Sequence, residues 1–196
     1  PPDIEHAWIV YCIALDSGEV IWKEHVHAGK PVTGRHPKNT YATETATTDG
    51  ERVYFLFGDV GIYCFDMDGN RVWTRMIEPK KTITNYGPGT SPVLHKDKFI
   101  IVYDNLEASY IAAYDKVTGE EMWRVARSES MSWATPFVWE NELHTEIVTA
   151  AKNRIRSYNE NGKLLWEMDG RMCGLSIPTP LVSDGLLYVV SGYTGD

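Results

Sequence analysis

Apolar residues in this chain come in short runs broken by turn residues, and one break is written four times. Residues 112–123 (AAYDKVTGEEMW) read as an extended run, a tight turn and a second extended run ending on Trp123. Residues 13–22 (IALDSGEVIW), 63–73 (YCFDMDGNRVW) and 156–166 (RSYNENGKLLW) repeat the phrase. A Gly stands four residues before the Trp in every copy: Gly18/Trp22, Gly69/Trp73, Gly119/Trp123 and Gly162/Trp166. Asp16, Asp66, Asp115 and Asn159 open the turns. Asp and Asn side chains bond to the backbone just ahead of them and Gly accepts a positive φ, so each copy predicts a β-hairpin.

A second phrase interleaves with the first: Ser or Thr, usually followed by Pro, then a turn and a β-rich run. Its copies are Thr45-Ala46, Ser91-Pro92, Thr135-Pro136 and Thr179-Pro180. The runs that follow are 53–58, 99–103, 146–150 and 186–192, rich in the Val, Ile, Tyr and Phe that suit a pleated, half-buried surface. Each unit thus holds two runs after the Thr-Pro and two around the Gly–Trp phrase. Four strands in about 40–50 residues predict an all-β fold, a β-propeller of four-stranded antiparallel blades.

On this reading residues 8–26 are the last two strands of one blade. Residues 44–75, 89–125 and 132–168 are whole blades, and 176–193 are the first two strands of another. Four blade equivalents either close on themselves or form half of a ring of seven or eight. The half ring, a piece of a longer polypeptide, is the expectation, because nothing at residue 196 reads as the end of a propeller. Residues 27–43 form the longest irregular stretch, and long loops in compact repeats often carry function.

Charge and cysteine content narrow the chemistry. A net charge of −8 with intermixed signs argues against nucleic acid and anionic membrane surfaces as partners. No apolar run is long enough for a membrane-spanning helix. Aligned on the turn Asp or Asn, the residue two before it is Ala14, Cys64, Ala113 or Ser157, all small. Cys64 therefore reads as core packing, Cys12 falls in the same strand one unit earlier, and Cys173 sits in a Gly-flanked loop.

The phrases ALDSGEVIW, AYDKVTGEEMW and SYNENGKLLW resemble the repeat of the pyrroloquinoline quinone (PQQ)-like propeller family, roughly A-x-D-x-x-T-G-x-x-x-W. The family includes quinoprotein dehydrogenases and the periplasmic propeller lipoprotein of the outer-membrane β-barrel assembly machine. The resemblance implies that Trp22, Trp73, Trp123 and Trp166 dock on the turn glycines of neighbouring blades. It also implies a periplasmic or secreted location. The dehydrogenases pair vicinal cysteines with the quinone and hold calcium through a Glu/Asn/Asp set. Cys12, Cys64 and Cys173 are all isolated here, so no cofactor is expected, and PQQ and calcium enter only under an enzyme alternative.

The loops that lead into the first strand of each blade should gather on one face at the channel mouth. They would bring Arg35, His36, Asn39, Tyr41 and Glu44 together with Asn85, Tyr86, Ser132, Trp133, Arg171, Cys173 and Ser176. An aromatic, an Arg, a His and a carboxylate suit a polar ligand such as a sugar or small acid. The bland alternative is a solvated loop face. His25-x-His27 lacks a third metal ligand and reads as surface histidines. Asp104, Asn105 and Glu107 lack the calcium-loop pattern and read as a polar turn. No metal site and no catalytic set is expected. The leading expectation is a non-enzymatic extracytoplasmic binding or scaffold propeller using its channel mouth or blade edges, with a protein, polar small molecule or glycan as partner besides the remainder of its own propeller. A PQQ-dependent dehydrogenase with catalytic residues elsewhere and a polysaccharide-binding module are the alternatives.

Overall fold

The computed structural model of the chain describes residues 3–170 and 176–192. A two-stranded hairpin comes first, β1 (His6–Ile13) and β2 (Val20–Gly29). Three four-stranded sheets follow: β3 (Thr47–Thr48), β4 (Arg52–Phe57), β5 (Gly61–Asp66) and β6 (Arg71–Met76); then β7 (Val93–His95), β8 (Lys98–Tyr103), β9 (Tyr110–Asp115) and β10 (Glu121–Ala126); then β11 (Phe137–Glu140), β12 (Thr145–Ala150), β13 (Arg154–Tyr158) and β14 (Leu164–Asp169). A last hairpin pairs β15 (Leu181–Ser183) with β16 (Leu186–Tyr188). Each sheet is an antiparallel meander in chain order. The sheets meet through their first strands, β3 against β7 and β7 against β11. These strands therefore line the axis, and β6, β10 and β14 form the rim. This is a partial β-propeller. Its core lies between blades: Tyr54, Ile62 and Trp73 of the first whole sheet pack against Phe99, Ile101 and Tyr103 of the second.

The Gly–Trp phrase forms the same hairpin each time. Gly18, Gly69, Gly119 and Gly162 all take positive φ (74°, 88°, 72° and 78°), where a Cβ is disfavoured. A register shift occurs at the equivalent point of all four hairpins, the bulge that accompanies such loops. The turn residue nucleates the loop: Asp115 Oδ1 accepts from the backbone N–H groups of Val117 and Thr118, both at 2.8 Å.

The strand register corrects the alignment on the turn Asp. The small residues opposite the Trp are Cys12, Cys64, Ala113 and Ser157, not Ala14. In the first copy Asp16 lies inside the loop, and Ala14 closes it, accepting from Gly18 N–H as Asp115 accepts from Gly119 N–H. Register follows the constant Gly-to-Trp spacing, because the pairing of the strands and not the turn side chain decides which residues face each other.

Three of the four Trp side chains of the Gly–Trp phrases bridge adjacent blades. Trp22 lies over Gly69, Trp73 over Gly119 and Trp123 over Gly162. A Cβ at those glycines would meet ring atoms at 2.8, 2.6 and 2.7 Å. The indole N–H groups donate to the carbonyls of Met67 (3.0 Å), Lys116 (3.0 Å) and Glu160 (2.9 Å) on the next blade. Trp166 instead donates to the Glu146 carboxylate of its own sheet at 2.7 Å, and no described residue stands within 4 Å of a Cβ at Gly18.

The stretch after β8 is a polar turn in part. Asn105 does organise it, accepting from Glu107 and Ala108 N–H. Asp104, however, is buried and takes Arg127 in a two-pronged ion pair (2.8 and 3.1 Å), while the same guanidinium donates to Thr149 and Tyr158 of the next sheet. The two imidazoles of His25-x-His27 are separated by a bulge at Val26: His25 is exposed, and His27 packs on the Trp8 ring at 5.2 Å. No group of three or more metal-ligating side chains forms among the described residues.

Candidate functional site

In an antiparallel meander, the rim-to-axis connections and the loops joining second to third strands share one end of the blade. The Gly–Trp hairpins lie at the other. The first end carries the predicted site, and its loops are tied to one another. His36 N–H donates to Tyr86 O (3.1 Å), Trp133 N–H to Ser176 O (2.9 Å) and Trp133 Nε1–H to Gly87 O (3.0 Å). Gly34 N–H donates to the Asn85 side chain (3.0 Å).

The residue two before each Ser/Thr of the Thr-Pro phrase is Thr43, Gly89, Trp133 or Ile177. All four line a single cavity of about 350 Å³ at the mouth, with His36, Lys38, Asn39 and Tyr86. The Tyr86 and Trp133 rings stack at 6.3 Å and 25°, and His36 meets Tyr86 edge-on at 4.7 Å. The Trp133 indole lies across Gly89, where a Cβ would sit 3.0 Å from the ring and 3.3 Å from Thr43. Repeat geometry thus delivers four equivalent backbone positions to one opening. The side chains placed there form an aromatic shelf with an imidazole and an amide beside it.

The remaining predicted residues are distributed differently. Arg35 lies over the Tyr41 ring (5.5 Å) and donates to the carbonyls of Asn39 (2.6 Å), His36 (3.2 Å) and Pro37 (3.3 Å), so its guanidinium shapes its own loop. Arg35, Asn39 and Tyr41 border a second groove alongside β1. Glu44 sits beneath the mouth and accepts from the N–H groups of Gly58 (3.0 Å) and Thr43 (3.2 Å). Arg171 and Cys173 lie outside the described residues.

Glu44 and Asp59 are two carboxyls of this end that burial shifts. Burial pushes the Glu44 carboxyl up to about 7, against the two backbone donors, and the nearby Asp59 adds to the rise. Burial also raises Asp59, to about 6, against the Thr33 hydroxyl that donates to it. Its other carboxylate oxygen has no hydrogen-bond partner among the described residues. Nothing in the sequence marks Asp59, which follows a β run in a turn. A carboxyl raised in the fold contributes stability that is fully present below its unfolded pKa and is lost as pH rises through its folded pKa. The melting temperature is therefore expected to fall between pH 5 and pH 8. Glu44→Gln should flatten that slope, leaving stability near that of the parent at pH 5 and raising it at pH 8. A slope unchanged by the substitution would place the titration elsewhere.

A β-propeller of PQQ-like repeats is thus the class that fold and sequence define. The profile of the family described as outer membrane protein assembly factor BamB matches residues 59–195. That is more than half of the chain, and the chain belongs to this family. No curated protein sequence matches it. Among solved structures it is similar to BamB from Moraxella catarrhalis (14% identity, TM-score 0.63, covering 93% of this chain and 48% of that one). It is also similar to quinohemoprotein alcohol dehydrogenase from Comamonas testosteroni (18% identity, TM-score 0.58, 82% and 32%). A europium-containing methanol dehydrogenase is a third (13%, TM-score 0.55, 85% and 39%). These likenesses speak to fold, and the chain spans less than two thirds of each of these structures.

The described cysteines stand on β1 and in the buried centre of β5, in different blades, and no cluster of metal ligands forms among the described residues.

Proposed function

We propose that this chain is a non-catalytic binding propeller acting outside the cytoplasm, and that it holds a protein partner at the channel mouth. The observation that carries the reading is the Tyr86–Trp133 shelf, bounded by His36, Lys38 and Asn39. Rigid aromatic surfaces with a few placed polar groups are typical anchors for a partner's side chain. Membership of a family described by an assembly factor supports a protein as that partner. No helix among the described residues is long and apolar enough to cross a membrane.

Titration calorimetry with extended peptides rich in aromatic residues, with oligosaccharides, and with PQQ plus calcium tests this reading. Saturable peptide binding that falls tenfold or more in Trp133→Ala is the expected result. Gly89→Val should do the same, since a Cβ there already lies 3.0 Å from the indole and the larger side chain displaces it. Binding of oligosaccharide alone would make the shelf a glycan site. Quinone binding with turnover would overturn the non-catalytic reading.

A further inference from the structure

The three whole blades meet through charge pairs of opposite sense, and we infer that these pairs fix the order in which similar blades dock. The residue after each turn Asp or Asn offers its carbonyl to the indole of the preceding blade. Met67, Lys116 and Glu160 accept in this way from Trp22, Trp73 and Trp123. In the second and third whole blades the side chain of that residue reaches further, to the end of the preceding blade's first strand. Lys116 Nζ meets the Asp49 carboxylate at 3.0 Å. Glu160 meets His95 Nε2 at 2.9 Å and Lys96 Nζ at 2.6 Å.

Asp49 and His95 hold the same position of the repeat. Thr48 pairs with Val53 and Leu94 with Phe99, and Asp49 and His95 come next in the chain. Val53 and Phe99 are themselves equivalent, for they lie opposite Phe65 and Tyr114, each of which follows the small residue that faces a Trp. One contact is therefore made twice with its signs reversed. Between the first and second whole blades the receiving group is an acid and the turn brings a base. Between the second and third, the receiving groups are basic and the turn brings an acid.

The receiving groups have little freedom to avoid a wrong partner. The Asp49 and His95 side chains are 11% and 6% exposed. Asp49 is also held by the Tyr54 hydroxyl (3.1 Å) and by the N–H groups of Glu51 (3.1 Å) and Arg52 (2.8 Å). His95 is held on its other side by Glu140 of β11, 3.4 Å from Nδ1. Docking the third blade on the first would set Glu160 against Asp49. Docking the second blade of another copy on the second would set Lys116 against His95 and Lys96. Like charges across a nearly dry contact repel and reject that partner. The Trp–Gly contact is the same at both interfaces, so it holds any blade to any other and distinguishes none. Stacked repeats are prone to this kind of misassembly, because equivalent units offer equivalent faces.

Refolding of the protein from urea tests the inference, read by size-exclusion chromatography as the fraction recovered as native species rather than as soluble misassembled oligomers. Lys116→Met with Glu160→Gln removes the charges and keeps both carbonyls that receive an indole. Its native yield should fall about threefold. Lys116→Glu with Glu160→Lys keeps composition and net charge but exchanges the two signs, and its yield should fall about tenfold. Salt should act in opposite directions: about 1 M sodium chloride lowers the yield of the parent and raises that of the exchanged variant, because screening weakens attraction in one and repulsion in the other. A neutral variant that refolds with the parent's yield overturns the inference whatever the exchanged variant does. So does a salt response of the same sign in both proteins, or a lower urea midpoint with no misassembled species, which would make the pairs merely stabilising.

Discussion

Asp104→Ala is expected to destabilise the chain by about 3–5 kcal/mol, the cost of leaving a buried charge without its partner. The Asp104 and Arg127 side chains are both 0% exposed, so no solvent reaches the guanidinium once the carboxylate is gone. Arg127 would keep Thr149 and Tyr158 as neutral acceptors, which cannot neutralise it. The loss should appear in urea unfolding as a lower midpoint with an unchanged slope, because native packing elsewhere is untouched. Replacing both partners by apolar residues, Asp104→Leu with Arg127→Met, should recover more than half of it. A double variant as unstable as Asp104→Ala would mean that shape and not charge is at stake. The exposed Lys30–Asp3 pair is the contrast: Asp3→Ala should change stability by less than about 1 kcal/mol.

Trp73→Ala should cost a similar amount, about 3–5 kcal/mol, for a different reason. Trp73 is nearly buried between the first and second whole sheets, against Tyr54 and Phe99 at ring distances of 6.0 and 6.3 Å. Its removal takes apolar surface from both sheets and leaves the Lys116 carbonyl without the indole N–H. Because the ring bridges two blades, the loss should loosen blade from blade as well as lower stability. Hydrogen exchange should quicken in β5, β6 and β9 before it quickens in β13. Trp166→Ala is the internal comparison: Trp166 bridges no described blade, so the same substitution in this chain should cost markedly less. Equal losses at Trp73 and Trp166 would remove the argument for an inter-blade staple.

The candidate site was legible in the sequence as a set of loops. His36, Asn39, Tyr86 and Trp133 do share one cavity, because the Thr-Pro phrase repeats and each copy brings its preceding residues to the axis. The partition within the set was not legible. Arg35 reads as a ligand-binding cation, but the bend of its own loop presents three carbonyls to it, and Tyr41 turns towards β1. Glu44 reads as a channel-mouth carboxylate, and only the fold reveals that a turn from another part of the blade sets Asp59 near it. Asp104 is hidden in a different way. Its neighbours Asn105 and Glu107 are turn residues, and its partner Arg127 arrives from the end of β10.

The sequence by itself determined the four-stranded unit, its all-β class and its four hairpins. These follow from local chemistry: Asp and Asn seed turns, Gly tolerates positive φ, and alternating β-rich runs pair when a short turn joins them. It also determined that the Trp residues matter, since their spacing from Gly is constant. The tertiary structure alone decided what each repeated position touches. The exact pairing opposite each Trp came from strand register, which moved the small position from Ala14 to Cys12. The docking of Trp22, Trp73 and Trp123, the bareness of Gly18 and the burial of Asp104 with Arg127 are contacts between blades. Residues more than twenty positions apart meet there only because identical units stack around an axis, and no local pattern records which side of a strand faces the next blade.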